Sequence, residues 1–135
     1  MMQKLSYLRF VGAAKNGGLS SRRGFLQIAG EAVRAPETPK AFVDQIDRLR
    51  GWFGSYLAVP PRFRASASKG WRNDQPGISW FKSTAKLHIS QAMTLKALLD
   101  EVGYPITILR ERRIGYIVWE DEHQVVAEPF AETLR

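Results

Sequence analysis

Apolar and polar positions alternate in two rhythms along this chain of 135 residues, and the rhythm separates strands from helices. Leu5 to Val11 is aromatic and aliphatic and runs into a glycine-rich segment, so it predicts a first strand. Leu5, Tyr7, Arg9 and Val11 would face one way, and Gly12 to Gly18 would connect. Phe25, Ile28, Ala29, Ala32 and Val33 recur at helical spacing, with Ser20 or Ser21 as the expected cap. Thr38-Pro39 opens a second helix, with the threonine as cap and the proline at the first position. Its stripe is Phe42, Val43, Ile46, Leu49, Phe53 and Tyr56, and Asp44 and Arg48 are spaced as an i,i+4 ion pair. Ile78 to Lys82 is a short strand. A third helix follows, capped by Ser83 or Thr84, with Ala85, Ile89, Ala92, Leu95, Leu99 and Val102 on its apolar face, and Gly103 stops it.

The clearest strand signal is Ile106 to Phe130. It predicts three strands in a meander, with turns near Arg113–Gly115 and at Asp121-Glu122. That turn puts Val118 opposite Val125 and Ile117 opposite Val126. Tyr116, Val118, Val125 and Ala127 would share one face, and Ile117, Trp119 and Val126 the other. Both faces are apolar, so both need cover. A strand–helix–strand crossover would set Ile78–Lys82 and Ile106–Arg110 parallel in one sheet. The expected architecture is a single α+β domain over residues 1–135: a mixed sheet of four or five strands, in the order β-α-α-β-α-β-β-β, with three helices packed on it.

Pro60 to Gly77 is the longest stretch without periodicity. It carries Arg62, Arg64, Lys69 and Arg72 beside Phe63 and Trp71. Charge tracking phosphate, with rings stacking on bases, is the chemistry of single-strand binding. The competing reading is a surface loop whose aromatics anchor it.

Charge strengthens the first of these. The formal net charge is +7. Residues 1–75 hold thirteen Lys and Arg against five acids, and residues 76–135 hold seven against eight. A basic half attracts polyanions. The expected ligand is therefore DNA or RNA, held by Arg22, Arg23, Arg62, Arg64, Lys69 and Arg72, with Phe63 or Trp71 stacking. The alternative is an assembly module, a homodimer through an apolar sheet face, with no catalytic activity.

Ser20-Ser21-Arg22-Arg23-Gly24-Phe25-Leu26 resembles the twin-arginine export motif, with Gln27 where that motif has lysine. Glu31, Arg34 and Pro36 interrupt the apolar segment such a signal needs, so the helical reading takes precedence. Trp80-Phe81-Lys82, then Gly103-Tyr104-Pro105-Ile106, then Gly115 to Pro129 (GYIVWEDEHQVVAEP) resembles a family of short, uncharacterised bacterial proteins. The resemblance implies a bacterial origin and a shared fold, and it carries no catalytic residues.

Little else suggests chemistry. The chain has no cysteine, which removes thiolate ligands and nucleophiles and fits a reducing, cytoplasmic setting. No uncharged apolar run approaches the ~18 residues of a membrane span. His88 sits in register with Ala92, Leu95 and Leu99, as a packed core histidine would. His123 stands beside Glu120, Asp121 and Glu122, but consecutive strand residues point to opposite faces, so few of the four could converge on one ion and a solvated hairpin turn is the expected reading. No serine lies in a nucleophile-elbow pattern. The expectation is no metal and no cofactor, and a binding protein ahead of an enzyme; a small enzyme with a site near His88 is the third and last-ranked reading.

Overall fold

The computed structural model describes residues 5–13, 22–60 and 77–130. The fold is α+β. Its elements are β1 (Tyr7–Ala13), β2 (Arg22–Gly24), α1 (Phe25–Arg34), α2 (Lys40–Tyr56), β3 (Ile78–Lys82), α3 (Lys86–Glu101), β4 (Thr107–Glu111), β5 (Tyr116–Glu120) and β6 (Gln124–Glu128). The six strands form one sheet in the order β2-β1-β3-β6-β5, with β4 paired to β1. The β1–β2, β1–β3, β3–β6 and β5–β6 ladders are antiparallel.

The chain divides into two compact units. One comprises Phe10–Ala58 and Leu87–Ile108. In it, α1 buries Phe25, Ile28, Ala29 and Ala32, α2 buries Ile46, Leu49 and Phe53, and α3 buries His88, Ala92, Leu95 and Leu99. These fall on the stripes read from the sequence, but Tyr56, expected on the α2 stripe, is 61% exposed, and Phe42 and Val43 are only partly covered. Phe25 lies between Phe10 and Phe53, with both centroid distances 5.4 Å. The end of α3 is clamped to the chain beyond it. Asp100 Oδ1 accepts the Ile106 N–H at 2.8 Å, and Lys96 Nζ donates both to Asp100 Oδ2 at 2.7 Å and to the Ile106 carbonyl at 2.8 Å. Gly103, at φ +95°, turns the chain between these partners.

The helix starts differ from expectation. Gly24 is the N-cap of α1, with no side-chain cap bond, because Arg22–Gly24 is drawn into a ladder with Val11–Ala13. Gly12 therefore belongs to β1 and not to a connector. A Cβ there would meet the Pro105 carbonyl oxygen at 3.0 Å. Pro39, not Thr38, is the N-cap of α2. Asp44 pairs with Lys40 at 3.2 Å rather than with Arg48.

The other unit comprises Met1–Arg9, Val59–Lys86 and Leu109–Arg135. Its centre is β6, hydrogen-bonded on both sides. The meander is replaced by a hairpin of β5 and β6 alone, since β4 pairs with β1. The hairpin turn lies one residue later than expected, at Glu122-His123. Asp121 Oδ1 accepts the N–H groups of His123 at 2.8 Å and Gln124 at 2.9 Å. That carboxylate bracing the turn makes Asp121 its flank and not its tip. Glu120 therefore faces Val125 and Trp119 faces Val126, while Ile117 faces Ala127 across an irregularity at Val118.

The irregularity changes the faces. Paired residues share a side of the sheet. Ile117 thus joins Trp80, Val125 and Ala127, and Trp119 joins Phe81, Gln124 and Val126. Ile117 and Trp119, expected together, lie on opposite sides because a bulge inserts one residue. Ser79 Oγ donates to Gln124 Oε1 at 2.9 Å on the second face. Lys82 and Glu120 pair at 2.7 Å on the first.

Candidate nucleic-acid interface

Arg62, Phe63, Arg64, Lys69, Trp71 and Arg72 lie outside the described residues, as does the side chain of Arg22. Of the predicted set, only Arg23 is placed with its side chain. It stands in β2, and its guanidinium is bonded to the carboxylate of Glu31, one helical turn and a half into α1. Both groups are half-buried, so Arg23 anchors α1 to the strand before it. Its charge is already answered.

Five other carboxylates lie beside a basic side chain. Asp44 takes Lys40, Asp47 takes Arg50, Asp100 takes Lys96, Glu120 takes Lys82, and Glu122 lies 3.6 Å from His123. Each exposed pair adds little stability, but each cancels a charge locally. Arg34, Arg48, Lys86, Arg110, Arg112 and Arg113 are exposed. None of these six has a carboxylate partner among the described residues. An anionic ligand could meet these six side chains without displacing an ion pair.

Three of the six fall within four residues, Arg110 near the end of β4 and Arg112 and Arg113 on the connection to β5. The Arg113 guanidinium carbon lies 5.3 Å from the centroid of Phe130. Tyr116 meets the same ring edge-on, at 5.1 Å and 73°. Gly115 makes this approach possible. Its φ is +124°, and a Cβ there would press on the Glu128 carbonyl oxygen and come within 2.8 Å of Pro129 Cα. The chain after β6 is thus laid directly against Gly115, which brings Phe130 between Arg113 and Tyr116. Charge summed over half the chain concealed this cluster, because nearby acids cancel it in the total. The local run Arg110-Glu111-Arg112-Arg113, followed two residues later by Gly-Tyr, is the signal that would have found it.

His88 is a core residue. It is 5% exposed. Its Nε2 lies 2.7 Å from the Tyr56 carbonyl oxygen, so that nitrogen carries the proton and donates. The Trp52 ring packs 5.0 Å away. Replacing His88 by Ala is expected to cost about 2–4 kcal/mol, from a lost hydrogen bond and an unfilled site. Urea unfolding checks this, and a change below ~0.5 kcal/mol would show that the ring does not hold α3 to α2. No group of three His, Asp or Glu among the described residues is arranged to hold a metal ion.

The sheet offers a second surface. Both faces of β6 are closed: Val125, Val126 and Ala127 are fully buried. The apolar exposure expected on an open face sits instead at the edge. Tyr116, Ile117 and Val118 of β5 are 67%, 42% and 45% exposed. No described strand pairs with the outer side of β5.

No family model, curated protein or solved structure matches this chain. No helix among the described residues is long and apolar enough to cross a membrane.

Proposed function

We propose that this is a basic, nucleic-acid-associated binding protein of the cytoplasm, acting without catalysis. The supporting observation is a set of exposed cations, Arg34, Arg48, Lys86, Arg110, Arg112 and Arg113, that have no carboxylate partner among the described residues. The sequence adds Arg62, Arg64, Lys69 and Arg72, with Phe63 and Trp71, between α2 and β3. Such a surface gains free energy from polyanions by releasing their condensed counterions. Fluorescence anisotropy with labelled DNA and RNA oligonucleotides at ~50 mM salt tests it. Binding that weakens steeply by 200 mM is expected, and no binding to either polymer at the lower salt would sink the reading.

A second reading rests on β5. An apolar edge strand can be extended by a strand of another copy. The bulge at Val118 interrupts the regular hydrogen-bonding edge, which weighs against it. Light scattering that reports a concentration-dependent dimer supports this reading, and a monomer at all concentrations removes it.

A further inference from the structure

We infer that Arg110, Arg112, Arg113, Tyr116 and Phe130 form a site for single-stranded nucleic acid, a proposal that rests on the reading above and gives it a location. All five residues belong to one compact unit, and the three arginines and Tyr116 occur within seven residues. The arginines are exposed with no carboxylate partner among the described residues, so phosphate does not have to displace an existing ion pair. Arg113 already lies over an aromatic ring, 5.3 Å from the Phe130 centroid. A guanidinium plane held in that way stacks equally well on a base.

Tyr116 supplies the surface on which a base would rest. Its ring packs edge-on against Phe130 at 5.1 Å, which fixes its orientation at little entropic cost, yet the residue stays 67% exposed. A rigid, exposed ring next to the Arg113–Phe130 stack, with Arg110 and Arg112 near in sequence, matches unpaired nucleotides, which offer phosphate and base face together. A duplex hides its base faces, and an acidic polypeptide has none. Gly115 and Pro129 set the spacing. Gly115 admits the Glu128–Pro129 backbone at a distance no side chain would tolerate, and the fixed φ of Pro129 aims Phe130 at the cluster.

Arg112 and Arg113 lie outside any hydrogen-bonded strand, and Tyr116 is exposed, so Arg112→Gln with Arg113→Gln, and separately Tyr116→Leu, should leave the fold intact. Circular dichroism of each variant verifies this. The probes are labelled oligo(dT) and oligo(U), a duplex of equal length, and poly-glutamate as competitor. Tyr116→Leu should weaken single-strand binding roughly 5- to 150-fold, the range for losing one stacked base, without altering its salt dependence. The double arginine variant should lower the slope of log affinity against log salt by about 1.4, for two lost phosphate contacts. Wild-type protein should prefer the single strand to the duplex. If both variants bind as wild type does, nucleic acid binds elsewhere and this site is wrong while the broader reading stands. If wild-type protein binds no oligonucleotide, both fall. Displacement by poly-glutamate as effective as by oligonucleotide would reassign the site to acidic polypeptides and overturn the inference.

Discussion

Gly115→Ala should destabilise the protein by about 2–6 kcal/mol, the sum of backbone strain at positive φ and forced overlap. The overlap has no soft partner. A Cβ at Gly115 presses on the Glu128 carbonyl oxygen, lies 2.7 Å from its carbon and 2.8 Å from Pro129 Cα. These are backbone atoms at the end of β6, whose residues Gln124 to Ala127 are buried. Relief requires residues 128–130 to swing away from the start of β5, which separates Phe130 from Tyr116 and Arg113. Gly103→Ala is the control, since Gly103 also has positive φ, at +95°, but open space around it. That variant should lose only the strain, about 1–2 kcal/mol. Urea denaturation of the pair separates the terms. Equal losses would mean that the close approach of Gly115 to Glu128 does not persist in solution.

Trp80 carries the second large effect. It is 1% exposed in β3, opposite Val125 on the first face of the sheet. Truncation to Ala should cost about 3–5 kcal/mol, as for large buried aromatics generally. The indole Nε1 is buried and donates to no atom of the described residues. An unanswered buried donor costs about 1–3 kcal/mol. Trp80→Phe removes that donor along with part of the ring. The gain and the smaller cavity should nearly cancel, leaving Trp80→Phe within ~1 kcal/mol of wild type. A loss as large as that of the alanine variant would mean that the N–H has a partner, such as a trapped water.

The helices were legible because their period is carried by residues with one environment each. Ile46, Leu49 and Phe53, and Ala92, Leu95 and Leu99, fall on the buried stripes their spacing demands. His88 was legible for the same reason. β2 was not, since three residues containing two arginines and a glycine show no alternation, and only the ladder with Val11–Ala13 makes them a strand. The hairpin register depended on two local events that hydropathy does not encode, the Asp121 carboxylate bracing the turn and the extra residue at Val118. Apolar residues on both sides of β5 and β6 predict two faces needing cover. In the structure the inner strand takes the cover and the edge strand keeps the exposure.

The cluster of Arg110, Arg112, Arg113, Tyr116 and Phe130 was less legible. Its arginines are local in sequence, but Phe130 reaches them only because the hairpin returns the chain past Gly115. Spacing along the chain cannot show such a return. Charge totals cannot show which arginines are free, because that depends on which acids are already engaged: Asp44 with Lys40 leaves Arg48 open, and Glu31 closes Arg23.

The most direct test is a titration of isotopically labelled protein with a short oligo(dT), followed through backbone amide and Arg side-chain NMR signals at low salt. Shifts should concentrate at Arg110 to Ile117 and at Phe130, and should reverse as salt is added. Shifts confined to other residues, or none at all, would show that the free arginines and the Tyr116 ring do not form a nucleic-acid site.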